Sequence, residues 1–293
     1  DTYNTAVGYG AGLAVTTGVQ NTIVGGLAGD AFTDADFNVA LGYATLSTDT
    51  LGSKSTAVGY RALTTQNFTT ATDAFNTAVG TFAGFSVTTG LYNTLIGGEA
   101  GDALTDADLN VAIGYEALGA DTLGSRSVAV GPYALHFQNF TTATNTYNTA
   151  VGVDAGLQVT TGVQNTLIGG LAGDALTTGN RNTALGYSAL SSDTLGDRNV
   201  AIGNLALQTQ NFTTSTDSYN TAVGYNAGGA ITTGTQNTLI GGLAGDALTD
   251  ADGNIALGYL ALTSNTVGSN SVAVGGAALQ VQNPATANDM YNV

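Results

Sequence analysis

Three aspartates lie close together in a loop that the chain repeats, and they are the residues best suited to chemistry. The first copy contains Asp30, Asp34 and Asp36, followed by Asn38. Carboxylate and amide oxygens are the ligands that Ca²⁺ prefers, so these loops are weak calcium candidates. The candidate ligands are Asp30, Asp34, Asp36, Asp102, Asp106, Asp108, Asp246, Asp250 and Asp252.

A structural role for the same carboxylates competes with calcium binding. Aspartates at a solvated bend commonly accept hydrogen bonds from nearby backbone amides. The third copy keeps Asp174 but has Thr178 and Asn180 in place of the other two acids. The spacing also differs from that of an established calcium-binding loop. We therefore favour the capping interpretation, and calcium is the one cofactor that stays open.

The chain has few of the residue types on which catalytic sites commonly depend. There is no cysteine, and His136 is the one histidine. A metal–thiolate centre or a repeated Ser-His-Asp site is thereby excluded. Paired carboxylates can hydrolyse glycosides, but here they stand in a repeated loop with no unique pocket in view. We predict that the protein is not an enzyme.

A threonine-rich loop with an aromatic residue is the second candidate for binding. It spans residues 65–72, has Phe68 at its centre, and recurs around Phe140 and Phe212, while Pro284 takes the aromatic position in the last copy. Such a loop could hold a sugar or carry O-glycans. We favour the alternative that its aromatic ring packs over the fold or against a neighbouring chain.

These loops belong to a repeat that organises the whole chain. A five-letter word, polar, Thr/Val/Ile, apolar, Val/Ile/Leu and Gly, occurs sixteen times, from residues 4–8 to residues 271–275. Its spacing of 17, 17, 17 and 21 residues makes a 72-residue repeat that occurs four times, at 4–75, 76–147, 148–219 and 220–291. Self-similarity at a fixed period is typical of a solenoid. We predict an all-β, parallel β-solenoid of sixteen coils over residues 1–293.

Within each coil, the sequence predicts two short strands and two bends. The fifth letter is Gly in every copy, which indicates a positive φ or a crowded corner. The first letter is Asn in thirteen copies and Ser in three, and stacked Asn side chains can hydrogen-bond from coil to coil. Residues 289–293 resemble residues 1–5, so we expect the array to continue or to stack end to end.

Both sides of the repeated strand are apolar, which predicts burial on both sides. We expect the fourth letter, always Val, Ile or Leu, to face the interior of its own coil. The third letter would then face outward, and identical chains would cover it. We favour three chains around one axis; a dimer, a sheet of many chains and an exposed ladder of alanines are the alternatives. The predicted self-association face contains Ala6, Ile23, Ala40, Ala57, Ala78, Leu95, Ala150, Leu167, Ala222 and Leu239.

The words at residues 127–131 (Ser-Val-Ala-Val-Gly) and 199–203 (Asn-Val-Ala-Ile-Gly) resemble the head repeats of trimeric autotransporter adhesins. The form at residues 4–9 also resembles repeats of bacterial and phage tail-fibre-type proteins. The resemblance covers nearly the whole chain through one short motif. It implies a left-handed parallel β-roll, a homotrimer, and a place outside a cell or on a virion. Adhesin heads of this type use shorter coils than 17 residues.

The charge balance narrows the possible partners. Five basic residues oppose 21 acids, for a net charge of −16. Such a surface repels phosphate backbones and anionic lipids, so we expect neither nucleic acid partners nor membrane insertion of this segment. The absence of cysteine excludes a disulfide-stapled module but allows an extracellular location.

Three functions are consistent with these observations. We expect a structural shaft segment of an extracellular fibre or filament, whose main partner is itself. The alternative is an adhesin module that binds a glycan or a cell-surface receptor through the Thr/aromatic loops. Ice binding is a third hypothesis, suggested by the row of second-letter threonines on a flat sheet.

Overall fold

The computed structural model describes residues 2–293, and every regular element in that range is a β-strand. Each coil contributes one three-residue strand, and within each unit successive strands pair in parallel, so the predicted parallel β-solenoid is confirmed. No helix in residues 2–293 has the length and apolar character that a membrane span requires. The chain divides into two compact units, Asp1–Tyr147 and Asn148–Val293, each with two of the 72-residue repeats.

The N-terminal unit contains one sheet of three-residue strands and two pairs of two-residue strands. In the sheet, identical letters of successive words pair, as Thr5 does with Thr22 and Ala6 with Ile23. The strands of this unit are β1 (Thr5–Val7), β2 (Thr22–Val24), β3 (Val39–Leu41), β4 (Gly52–Ser53), β5 (Thr56–Val58), β6 (Thr72–Asp73), β7 (Thr77–Val79), β8 (Thr94–Ile96), β9 (Val111–Ile113), β10 (Gly124–Ser125), β11 (Val128–Val130) and β12 (Thr144–Asn145).

The C-terminal unit repeats the same arrangement. Its sheet also pairs like letters, for example Thr149 with Thr166 and Ala150 with Leu167. Its strands are β13 (Thr149–Val151), β14 (Thr166–Ile168), β15 (Thr183–Leu185), β16 (Gly196–Asp197), β17 (Val200–Ile202), β18 (Thr216–Asp217), β19 (Thr221–Val223), β20 (Thr238–Ile240), β21 (Ile255–Leu257), β22 (Gly268–Ser269), β23 (Val272–Val274) and β24 (Asn288–Asp289).

The prediction of two strands in every coil is wrong. The segment after the invariant glycine is a series of turns in which alternate residues have positive φ, such as Ala44 at 53° and Leu46 at 48°. A second, two-residue strand forms only in the third and fourth coils of each repeat, for example β4 with β6. A left-handed conformation costs about 1–2 kcal/mol for a residue with a Cβ, so burial of these side chains must hold the segment in place.

The invariant glycine at the end of each word meets both conditions that the sequence indicates. Gly25 has φ of 136°, and a Cβ there would lie 2.2 Å from the carbonyl oxygen of Gly42 in the next coil. Gly42 stands in the same relation to Gly59. Only glycine fits a corner where one backbone lies directly against the next.

The first-letter asparagines form the predicted ladder between coils. The side-chain oxygen of Asn21 accepts from the backbone N–H of Asn38 at 2.9 Å. The side-chain nitrogen of Asn21 donates to the carbonyl of Ala35 in its own coil at 2.7 Å. One buried side chain thus joins two coils and closes a turn, which satisfies backbone groups that would otherwise be left unpaired.

The predicted facing of the strands is wrong, and the proposed self-association face changes with it. Apart from Ala6 in the first coil, which is exposed, the third-letter side chains lie inside the solenoid. The buried members of that predicted face are Ile23, Ala40, Ala57, Ala78, Leu95, Ala150, Leu167, Ala222 and Leu239. The second and fourth letters point outward and are half-buried or exposed, as at Thr94 and Ile96.

The reason lies in how the two walls of the narrow coil fit together. Where the third letter is large, the opposite wall has glycine: a Cβ at Gly84 or Gly101 would lie 2.7 Å from a methyl carbon of Leu95. In the third and fourth coils of a repeat the third letter is alanine, as at Ala57, and the opposite wall supplies a leucine such as the buried Leu63. Because the core is so thin, close packing requires that a large side chain on one wall lies opposite a small residue on the other.

Candidate functional site

The aspartates of the predicted calcium loop are placed as hydrogen-bond acceptors between coils. Asp36 accepts from the backbone N–H of Val19 at 2.7 Å, and Asp34 accepts from the hydroxyl of Thr17. The second repeat uses the same positions in the same way: Asp108 accepts from Leu91 N–H and Asp106 from the hydroxyl of Thr89. In the fourth repeat Asp252 accepts from Thr235 N–H, but Asp250 accepts from the hydroxyl of its chain neighbour Thr249.

The first aspartate of that loop lies apart from the other two. One carboxylate oxygen of Asp30 is buried without a hydrogen-bond partner, and so is one of Asp174. The equivalent Asp246 accepts from the hydroxyl of Thr263. In residues 2–293, no three His, Cys, Asp or Glu side chains converge as metal ligands. Asp36, Asp108 and Asp252 accept from backbone N–H groups, as the capping interpretation predicts, and calcium binding stays a prediction.

The second repeat carries a cluster of ionisable groups that the other repeats lack. His136 Nδ1 lies 3.4 Å from a carboxylate oxygen of Glu116, and Glu99 and Glu116 are the only glutamates in the chain. Burial raises the pKa of Asp102 to about 6, and the charges of Glu99 and Glu116 add to the effect. A hydrogen bond to Glu116 raises the pKa of Tyr115 to about 12.

A buried polar cluster in the third and fourth coils is the feature that the sequence reasoning missed. Asp49 lies in the core, where one carboxylate oxygen accepts from Gly52 N–H at 2.9 Å and from Phe68 N–H at 3.3 Å. Its other oxygen accepts from Gln66 Nε2 at 2.6 Å. Gln66 in turn accepts from the side chain of Asn76 at 2.9 Å. The cluster therefore links the four-residue insertion of the fourth coil to the asparagine ladder.

The cluster recurs in the next two repeats with nearly the same geometry. Asp121 accepts from Gln138 at 2.5 Å, and Asp193 accepts from Gln210 at 2.6 Å. Burial raises the pKa of each of these carboxyls, and the hydrogen bonds that they accept oppose the rise only in part. No pocket opens on the surface of residues 2–293, and the hydrogen bonds of the cluster join neighbouring coils.

A sequence signal for this cluster did exist. In the first two coils of a repeat, the same position holds a core side chain such as Val87 or Leu104, both fully buried. In the first three repeats, the third and fourth coils replace it with Asp and Gln. An acid and an amide at an otherwise apolar, inward-facing position indicate a buried pair that satisfies itself.

The Thr/aromatic loops keep their central ring inside. Phe68 is 5 % exposed, and Phe140 and Phe212 are similarly buried, as the packing interpretation predicts. The threonines at the loop tip, such as Thr69 and Thr70, are exposed. The aromatic residues that end each copy, Phe75, Tyr147, Tyr219 and Tyr291, are about half exposed or more. These end residues, rather than Phe68, are available to a ligand.

The chain matches no protein-family model, no curated protein and no solved structure.

Proposed function

We propose that this chain is a structural shaft segment of an extracellular fibre or filament, on a cell surface or a virion. The observation that carries the proposal is the in-register stacking of like letters within each unit, such as Thr77 on Thr94 and Val79 on Ile96. Every added coil repeats the contacts of the last one, so length grows without a new core. A stiff spacer needs this property.

The composition supports the same proposal. Only 9 % of the residues are charged, while an apolar or Thr-bearing sheet face points outward in both units. A face of that kind favours association with other copies of the chain. The proposed assembly is a homo-oligomer, and three chains is the number that we expect.

Small-angle scattering with a native mass measurement tests this proposal. The expected result is an elongated homo-oligomer that resists protease. A globular monomer that protease digests readily would contradict it. A mass of two or three chains distinguishes a dimer from the expected trimer.

Glycan or receptor binding is the alternative, and the exposed aromatic residues that precede some of the words favour it. Phe75 stacks on Tyr92 with ring centroids 5.5 Å apart, and both rings are about half exposed. Exposed rings of this kind can hold a sugar ring. Binding on a glycan array that is lost in Phe75→Ser and Tyr92→Ser, but retained when the tip threonines Thr69 and Thr70 become Ser, would support this function.

Ice binding keeps one supporting observation. The second-letter threonines face outward rather than into the core, as at Thr166 and Thr183. The row is interrupted by Val or Ile in every repeat, which breaks the regularity that a lattice match needs. Absence of thermal hysteresis in the purified protein would exclude this function.

A further inference from the structure

The acids of this chain avoid one face of the solenoid. We number each coil so that the five-letter word occupies positions one to five and the strand positions two to four. Position zero is the residue before the word, and position six is the residue after it. None of the 21 acids falls at positions zero to six of any of the sixteen coils. Four of the five basic residues stand at position zero: Lys54, Arg126, Arg181 and Arg198.

The outward side chains on this stretch form a surface that we call the acid-free face. It consists of the rows at positions zero, two, four and six, which are half-buried or exposed. Thr, Val or Ile fills the row at position two, and Val, Ile or Leu the row at position four. Tyrosine recurs in the row at position six. There the rings of Tyr43 and Tyr60 stack with centroids 5.7 Å apart, and both residues are about half exposed. The face is therefore apolar and uncharged along its middle.

Two of the four basic residues at its margin pair with acids, whereas Arg126 and Arg181 donate to the side-chain oxygens of Asn145 and Gln164. Lys54 pairs with Asp73 at 2.6 Å and lies 5.1 Å from the centre of the Phe75 ring. Arg198 pairs with Asp217 and donates to the hydroxyl of Tyr219 at 2.9 Å. With their charges compensated by acids just outside the face, these side chains offer little to an anionic partner.

The size of the face matches what a stable interface needs. Eight strands at about 4.8 Å spacing make each unit's sheet roughly 38 Å long, and the four rows make it about 15–20 Å wide. Each unit thus presents on the order of 600–800 Å². A standard protein–protein interface buries about 800 Å² on each partner.

The charge distribution selects the partner. Outside the face the chain carries 21 acids against Arg61 alone, so two copies repel each other in every other orientation. When the faces meet, all the acids stay on the outer flanks. The larger fourth-letter residues also recur every 72 residues, as Ile96, Ile168 and Ile240, and a second copy has the same period.

We infer that the acid-free face is the lateral interface at which a second copy of this chain packs, an inference that rests on the proposed shaft function. The acid-free faces of neighbouring copies pack against each other there, at the distance of about 10 Å that is usual between packed sheets. The outward Thr and Val/Ile/Leu rows interdigitate there, and the third-letter residues stay in the core of each chain.

Matched glutamate variants of the full chain test the inference. The face variant carries Thr77→Glu, Thr94→Glu, Thr166→Glu and Thr183→Glu, all outward second letters. The control carries Thr69→Glu, Thr70→Glu, Thr141→Glu and Thr142→Glu, all at exposed loop tips. Both lower the net charge by the same amount. A milder face variant, Thr94→Lys with Thr166→Lys, serves if the first fails to fold, as judged by circular dichroism.

Sedimentation equilibrium over a range of concentrations gives the answer. We expect self-association of the face variant to be at least about tenfold weaker than that of the control and the parent, because desolvated like charges oppose packing. An oligomer that both face variants leave intact would overturn the inference while the shaft function stands. A parent chain that stays monomeric at every concentration would overturn both, and thermal hysteresis in that monomer would point to ice instead.

Discussion

Asp193 and Asn265 occupy the same position in the third and fourth repeats, yet one is an acid and the other an amide. Asp193 accepts from two backbone N–H groups, of Gly196 and Phe212, and from Gln210. The side chain of Asn265 bonds to Gly268: its oxygen accepts from the backbone N–H and its nitrogen donates to the carbonyl, each at 2.8 Å. The fourth repeat has thus lost both the charge and two of its donors.

The lost donors explain why the two substitutions occur together. The residue equivalent to Phe212 is Pro284, and proline has no N–H to give. A carboxylate at position 265 would lack that backbone donor, and a buried charge is tolerated only when it is well hydrogen-bonded. The loop residue and the core acid are therefore coupled: the first three repeats have both Phe and Asp, and the fourth has neither.

Removing the acid itself has the largest expected effect. Asp193→Leu leaves the donors of Gly196, Phe212 and Gln210 in the core without an acceptor, at about 1–3 kcal/mol for each buried group. We expect a loss of about 3 kcal/mol or more in unfolding free energy. Urea denaturation measures it, with Asn265→Leu as the matched change in the fourth repeat. Equal losses of unfolding free energy in the two variants would show that the carboxylate of Asp193 stabilises the fold no more than the amide of Asn265 does.

Restoring the acid in the fourth repeat tests the coupling. Asn265→Asp places a carboxylate with too few donors in the core, and we expect it to cost about 1–3 kcal/mol at pH 7. Adding Pro284→Phe returns the backbone N–H and should recover part of that loss. A double-mutant cycle measures the coupling between the two positions. Strict additivity of the two changes would refute it.

The pH dependence of stability has the smallest expected effect. The pKa of Asp102 is raised from 3.8 to about 6 by burial, so the folded state binds the proton more tightly than the unfolded state does. Its contribution is therefore greatest in acid and is lost as pH rises from about 4 through about 6. Asp102→Asn should therefore reduce the fall in melting temperature over that window, to which the buried carboxyls of Asp49, Asp121 and Asp193 also contribute.

Asp106→Asn is the matched control in the same repeat, because Asp106 is exposed. We expect it to leave the profile of melting temperature against pH unchanged between about pH 4 and 6. An identical profile for the parent chain and for Asp102→Asn would show that burial of Asp102 does not affect folding.

Much of the fold could be predicted from the sequence, because periodicity is a direct signature of stacking. The coil period, the crowded glycine corner and the asparagine ladder all follow from residue types at fixed spacing, and the structure confirms them. The second strand of each coil could not be predicted, since positive φ at residues such as Leu46 is a tertiary effect that overrides local preference.

The facing of the strand failed for a different reason. With apolar residues on both sides, alternation alone does not say which side is inside. The answer was present in a longer-range pattern: large third letters such as Leu95 coincide with glycine on the opposite wall, at Gly84 and Gly101. The buried Asp49–Gln66 pair was missed because its position had not been recognised as inward-facing.

The most direct test of the account uses the absence of cysteine in the parent chain. Val151→Cys places a single thiol on the acid-free face, and its maleimide labelling rate is measured as protein concentration rises. We expect the thiol of Val151→Cys to be labelled fast in dilute solution and to become protected as copies associate. The neighbouring inward thiol of Ala150→Cys should stay protected at every concentration. A Val151→Cys labelling rate that does not change with concentration while the chain is oligomeric would contradict it.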